Sequence, residues 1–339
     1  MAAITQKPGR IKAVFMGSDE LSKTFLTALI HSPGVDVLTV VTQPDKKHGR
    51  GLEIKPGPVK ELALMHGVPV VAPVKINAPE SVAELTALAP DIIVVMAYGQ
   101  FLGRTILALP RLGCVNLHTS LLPKYRGASP IQHAIMNGDE ETGITAMMMA
   151  RGMDAGDILG ASHCAIRPEE TAATLGLRLA IRGADLMLDV IRKLDDGICP
   201  RIPQDEALAT FAPKIDDTTT PAIDWSRTAP EIERHIRAMT PKPFCHTYLP
   251  GNDPNKPYMP GLRIKINGAL IVNPSGNVAT QPGEVISMKD GPLVATGGGG
   301  AVLLTQLHIE GKPKPIDGKA FANGYSSKLK IGDTLRSGI

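Results

Sequence analysis

The run Asp91-Ile92-Ile93-Val94-Val95-Met96-Ala97 is the most continuous apolar stretch of strand-like character in the 339-residue chain. It reads as a strand. Working outward, residues 79–88 before it have helical spacing, 68–71 read as a short strand and 59–65 as a short helix started by Pro58. Further back, 37–41 is a buried-strand run. Residues 12–16 form another, ending at Gly17, after which Leu21, Phe25, Ala28 and Leu29 recur at helical spacing behind Ser18 or Asp19 as N-cap. Downstream the spacing predicts a strand over 113–118, a helix over 130–136, strands over 144–149 and 158–166, and a long helix over 171–194. Strands alternating with helices imply an α/β fold, a mostly parallel sheet covered on both faces. Ligands of such sheets bind beyond the carboxyl ends of the strands.

The texture changes over 200–220, where proline, Asp216-Asp217 and Thr218-Thr219-Thr220 make a linker-like stretch. A helix over 230–239 follows. Short runs at 262–266, 269–272, 283–288, 292–296 and 301–307 are separated by Gly, Pro and Asn turns and predict a small β-barrel. Gly297-Gly298-Gly299-Gly300 is expected to be a hairpin loop, since no strand–Gly loop–helix context or following Lys-Ser/Thr makes it a phosphate cradle.

Hydrophobic residues make up 43% of the chain and charged ones 20%, which is globular composition and argues against disorder. The net charge is +3, and it is unevenly placed: residues 1–205 hold 21 basic and 21 acidic side chains, residues 206–339 hold 15 and 12. No apolar stretch is long enough to span a bilayer, and residues 1–10 contain no apolar signal region, so a cytoplasmic protein is expected. Cys114, Cys164, Cys199 and Cys245 lack CxxC spacing and are read as reduced thiols. The nine histidines do not cluster with Cys or carboxylates at metal spacing, and the nucleotide-binding, serine-elbow and zincin motifs are missing. A reaction using neither bound metal nor nucleotide is favoured.

The segment that carries chemistry is Asn116-Leu117-His118-Thr119-Ser120-Leu121-Leu122-Pro123-Lys124-Tyr125-Arg126-Gly127. Asn116 and His118 lie two apart on a strand and project to one face at the ligand-binding edge. An amide donor beside an imidazole suits acyl transfer, the amide bonding an oxyanion while the imidazole moves a proton. A polar strand end satisfied by loop backbone would look the same. The second piece is Gly152-Met153-Asp154-Ala155-Gly156-Asp157, a loop between two strands. Asp154 there is either a turn carboxylate or a partner that orients His118; spacing alone leaves both open.

Together these residues resemble the folate-dependent formyltransferases. Thr42-Gln43-Pro44-Asp45, Gly49-Arg50-Gly51, Ala97-Tyr98-Gly99, Pro110-Arg111-Leu112-Gly113, and Ile223-Asp224-Trp225 followed by Ile236-Arg237-Ala238 are similar to the branch of that family that acts on initiator methionyl-tRNA. The likeness runs from Ile11 to Leu335 and weakens between Pro250 and Gly300. It implies a Rossmann-like formyltransferase domain over 1–205, then an OB-like β-barrel over 206–339 that binds the tRNA body. Lys312, Lys314, Lys319, Lys328, Lys330 and Arg336 there outnumber Glu310, Asp317 and Asp333.

The implied reaction moves a formyl group from 10-formyltetrahydrofolate to the α-amine of initiator methionyl-tRNA, with no metal, membrane or obligate protein partner. Asn116, His118 and Asp154 match the catalytic trio. Ser120, Leu121, Leu122 and Pro123 match the folate-proximal loop, and Met96, Ala97 and Tyr98 the strand end near the pterin. Lys46, Lys47, Gly49 and Arg50 match the loop that meets the acceptor end of the tRNA, where cations can follow a phosphate backbone. On this implication the amine attacks the formyl carbon directly, Asn116 and protonated His118 stabilise a tetrahedral oxyanion, and Asp154 fixes the useful tautomer of His118.

The sequence departs from the family in three places. Lys47-His48-Gly49-Arg50 replaces Pro-Ala-Gly-Arg, Pro241-Lys242-Pro243-Phe244 lacks the small residue that usually follows Pro-x-Pro, and 250–260 reads as an insertion. The alternatives are a member of the same family acting on an amino-sugar nucleotide or on glycinamide ribonucleotide, and a catalytically silent RNA-binding protein. The intact trio argues against the last.

Overall fold

A computed structural model describes residues 9–48, 53–216, 220–251, 261–273 and 281–337. The chain forms two compact units. One comprises Met1–Pro130, Glu141–Ala165 and Gly176–Pro213, the other Ile131–Glu140, Ile166–Leu175 and Lys214–Ile339.

The elements of the first half, in chain order, are β1 (Ile11–Gly17), α1 (Ser22–His31), β2 (Val35–Val41), β3 (Lys46–His48), β4 (Glu53–Lys55), α2 (Pro58–Met65) and β5 (Val70–Val71). They continue as α3 (Pro79–Leu88), β6 (Ile92–Met96), α4 (Arg104–Leu107), β7 (Cys114–His118), α5 (Pro130–Asn137), β8 (Glu141–Met148), β9 (Ile158–Ala165) and α6 (Ala172–Asp195). Seven strands form one sheet in the order β5-β2-β1-β6-β7-β8-β9. The first five run parallel, and β8 and β9 are antiparallel to their neighbours.

The apolar run that opened the reading is β6, and all five of its residues are buried. It lies between β1 and β7, with Val95 opposite Asn116. Its Ile93 and Val95 side chains join Val14, Met16, Tyr98, Leu102 and Ile106 in one buried cluster. A strand covered on both faces needs apolar side chains on both, which is why β6 shows no alternation. The edge strand β9 shows the opposite pattern, with exposed and buried positions interleaved. On α6, Leu179, Ala180, Met187, Val190 and Ile191 form the buried stripe. Sequence reading missed α4, which is one turn long, and the β3–β4 hairpin, which occupies part of what was expected to be a loop.

The second unit holds α7 (Ala229–Ala238), β10 (Cys245–Tyr248), β11 (Arg263–Val272), β12 (Val285–Ser287), β13 (Leu293–Ala295), β14 (Ala301–Ile309), β15 (Ile316–Asp317) and α8 (Gly318–Gly324). Thr228 and Glu231 close a capping box at the start of α7. The strands form an antiparallel sheet in the order β10-β11-β14-β13-β12, with β15 on β14. The two runs expected at 262–266 and 269–272 are one strand, β11. Its register shifts around Gly268, where a Cβ would stand 2.8 Å from Thr305 Oγ1, so Asn267-Gly268 marks a bulge instead of a turn. The terminal segment bridges the two edge strands. Tyr248 and Arg336 exchange both backbone bonds at 3.0 Å, and Leu335 N–H donates to Gly283 C=O at 2.8 Å.

The domain change expected at 205/206 falls inside a strap, Gln204–Ala212, that is bonded to the first unit. Arg126 N–H donates to Thr210 C=O at 2.8 Å and Ala212 N–H donates to Arg126 C=O at 2.7 Å. All four cysteines are free thiols. No helix among the described residues is long and apolar enough to cross a membrane.

Candidate active site

The carboxyl ends of β6 and β7 open into a pocket of about 430 Å³, within the usual range for small-molecule sites. Asn116 and His118 line it from β7, Met96, Ala97 and Tyr98 from the end of β6, and Asp154 from the loop between β8 and β9. The catalytic trio expected from the sequence therefore meets at one pocket. Asn116 is half-buried, and its amide makes no hydrogen bond to other described residues, so both its donors remain available.

His118 is buried. Its Nε2 lies 2.8 Å from the carbonyl of Tyr125. A carbonyl only accepts, so Nε2 carries the hydrogen, and Nδ1 is the nitrogen that faces Asp154 Oδ2 at 3.6 Å. The resemblance implied that Asp154 sets the tautomer; the geometry gives that role to the Tyr125 carbonyl. Asp154 Oδ2 also accepts from Gly127 N–H at 2.8 Å, and the backbone of Asp154 is left-handed, with φ 50°.

Two glycines make this arrangement possible. A Cβ on Gly156 would stand 1.7 Å from Met148 C=O, and one on Gly127, where φ is 121°, would stand 2.6 Å from Ala212 C=O. Only glycine fits either place.

The loop at the end of β6 is stitched from two sides. Gln43 Nε2 donates to Tyr98 C=O at 3.0 Å, and Ser18 Oγ donates to the same carbonyl at 3.3 Å. Ala97 sits at φ 49°. The ring of Tyr98 belongs to the buried core cluster, and its hydroxyl finds no partner among the described residues. Burial pushes that phenol up to about 12. Gln100 also lines the pocket, with its amide spent on Ile76 N–H and Pro73 C=O.

Ser120, Leu121, Leu122 and Pro123 do not line the pocket. They form the turn that delivers Tyr125: Ser120 Oγ donates to Lys124 C=O at 2.6 Å, and Thr145 Oγ1 accepts from Leu122 N–H while donating to Ser120 C=O. Lys46 and Lys47 lie on β3, based on Asp45, whose carboxylate pairs with Lys60 at 2.6 Å. Gly49 and Arg50 lie outside the described residues.

Sequence reading missed Thr119, Ala128, Pro130 and Met149, which line the pocket, and the polar network behind it. Arg126 is 3% exposed. It donates through Nη1 and Nη2 to Glu206 at 2.9 and 2.8 Å, and through Nε and Nη2 to Gln204 Oε1 at 3.0 and 2.9 Å. The hydrogen bonds with Glu206 hold Arg126 above its ordinary value and Glu206 below the usual carboxylate range. The charge of Asp154 acts on Arg126 in the same direction. Among the described residues, no group of three His, Cys, Asp or Glu side chains is placed to hold a metal ion.

A strand-end pocket with an amide, an imidazole and a carboxylate converging on it is suited to acyl transfer. Residues 11–191 match the family model described as formyl transferase, residues 217–326 match the model of the formyl transferase C-terminal domain, and the chain belongs to the formyl transferase family. Within it, the chain is similar to the methionyl-tRNA formyltransferase of Symbiobacterium thermophilum, 42% identical over 316 residues, 93% of this chain and 92% of that one. It is also similar to the methionyl-tRNA formyltransferase of Pseudomonas savastanoi pv. phaseolicola, 41% identical over 326 residues, 96% and 98% of the two chains. The fold is shared with an N-formyltransferase from Helicobacter canadensis solved with folinic acid and dTDP-3-aminofucose. That match has a TM-score of 0.61 at 18% identity and covers 87% of this chain and 98% of that one.

Proposed function

We propose that the protein transfers the formyl group of 10-formyltetrahydrofolate to the α-amine of initiator methionyl-tRNA. The observation that carries this reading is the convergence of Asn116, His118 and Asp154 on one pocket, in a chain whose relatives at 41–42% identity are methionyl-tRNA formyltransferases. The pocket fits a folate head-group in size and chemistry. Apolar walls from Val95, Met96 and Met149 flank backbone polar groups at Ala97–Gly99. The folate supplies an activated one-carbon group when bound.

This chain's residues do the remainder. The free amide of Asn116 donates to the formyl oxygen as negative charge develops there. His118 holds its Nε2 hydrogen on Tyr125 and moves a proton at Nδ1, beside the Asp154 carboxylate. The turn of Ser120, Leu121, Leu122 and Pro123 acts in this reading as the support that seats the Tyr125 carbonyl on His118. Lys46, Lys47, Gly49 and Arg50 meet the acceptor end of the tRNA, and the barrel that follows the strap binds its body.

The test is formyl transfer from 10-formyltetrahydrofolate to initiator methionyl-tRNA, compared with elongator methionyl-tRNA, free methionine and an amino-sugar nucleotide. Preference for the initiator is expected. Equal or better use of the sugar would overturn the acceptor assignment. Arg50→Ala should raise KM for the tRNA and lower the salt slope of binding by about one; an unchanged slope would remove Arg50 from the interface.

A further inference from the structure

We infer that Gln204 is a positioning residue for the transfer reaction, holding the turn that aims Asp154 at His118. The inference rests on the reaction proposed above. Asp154 sits at φ 50°, in the left-handed region that favours glycine. A turn in that state persists only where its surroundings hold it. The holding group is the Gln204 amide, whose Nε2 donates to the carbonyls of both Asp154 and Gly156, each at 2.8 Å. One NH2 group thus clamps the backbone on either side of Ala155.

The amide is held from its other end. Its Oε1 accepts two bonds from Arg126, so the oxygen faces the guanidinium and the nitrogen faces the Asp154 turn. Arg126 is buried, and Glu206 satisfies it from the far side. The residues flanking Arg126 hold two members of the trio directly. Tyr125 C=O takes the Nε2 hydrogen of His118, and Gly127 N–H binds Asp154 Oδ2. The Glu206–Arg126–Gln204 chain therefore ties the imidazole side and the carboxylate side of the site to one another. The charged groups concerned are Asp154, Arg126 and Glu206.

Two variants of the full-length protein separate this role from simple packing. Gln204→Glu keeps the acceptor for Arg126 and removes the donors to Asp154 and Gly156; Gln204→Met removes both. Because a displacement of about 1 Å at a reacting group costs up to about 10²-fold, both variants should lower kcat by about 10- to 100-fold. KM for the tRNA should change little. Exchange of the Gly127 amide hydrogen, which reports the bond to Asp154, should accelerate in both, and in Gln204→Glu, which keeps the acceptor for Arg126, without a comparable fall in Tm. If Gln204→Glu keeps kcat and Gly127 protection, Gln204 merely seats Arg126 and the inference is wrong. It is equally wrong if the loss of kcat tracks the loss of folded protein. The Gly127 readout needs no acceptor, so it decides the inference even if the native protein fails to formylate methionyl-tRNA.

Discussion

At the residue scale the site depends on which polar groups are already satisfied. Asn116 makes no hydrogen bond to the described residues, so its amide is spare for a ligand. Asn116→Ala should lower kcat by about 10²–10³, the usual cost of one oxyanion donor, with Tm unchanged because no bond within the protein is broken. Steady-state rates with a matched thermal melt check this; a fall of less than threefold would remove Asn116 from the chemistry. Tyr98 is the opposite case, a buried hydroxyl with no partner among the described residues. Its phenol is raised to about 12 from an ordinary 10.0. Between those values the unfolded chain has lost the proton and the folded one retains it, so stability falls as pH rises from 10 to 12. Tyr98→Phe should hold or raise stability at pH 8 and flatten that alkaline decline, as read from urea unfolding at the two ends of the range.

At the element scale, the deciding piece is the turn between β8 and β9. Its residue types, Gly-Met-Asp-Ala-Gly-Asp, announce a turn, and the carboxylate between two glycines was visible as a candidate. What spacing could not settle was whether Asp154 faces His118, since that depends on Gly156 passing against Met148 C=O. Gly156→Ala should displace the turn and abolish most transfer, while the far strands keep their hydrogen-exchange protection. An alanine variant of native activity would mean the turn tolerates a Cβ and does not set the site. The apolar strand β6 was legible because burial on both faces leaves a continuous run. Short or half-polar elements such as β3, β4 and α4 were not, because too few residues carry their periodicity.

At the scale of the whole molecule, the strap Gln204–Ala212 is the main surprise. Its composition reads as the beginning of a linker, and no local periodicity marks it. Yet it pairs with Arg126 and receives Tyr125 N–H on Thr210 Oγ1 at 2.9 Å. A fragment ending at Asp205 loses Glu206, Thr210 and Ala212, whereas one ending at Pro213 keeps them. Removing a partner from a buried charge costs about 3–5 kcal/mol, so 1–205 should melt well below 1–213 and bind folate more weakly. Equal melting of the two fragments would show that the strap contributes nothing to the first unit.

The sequence by itself determined the α/β class, a second half of short strands, the face shared by Asn116 and His118, and the Asp154 turn. Each of these is written in local spacing: period two for a strand, 3.6 for a helix, glycine and aspartate at a turn. Its motifs also carried the family resemblance. Only the tertiary structure decided the rest: that the Tyr125 carbonyl fixes the His118 tautomer, that Tyr98 turns its ring into the core, that residues 334–336 bridge the edges of the second sheet, and that Gln204 reaches Asp154 across 50 positions of chain. Apart from the Tyr125–His118 bond, which spans seven positions, these are contacts between segments far apart in sequence. A hydrogen bond across such a separation leaves no local pattern in either segment, so it becomes visible only when folding brings them together.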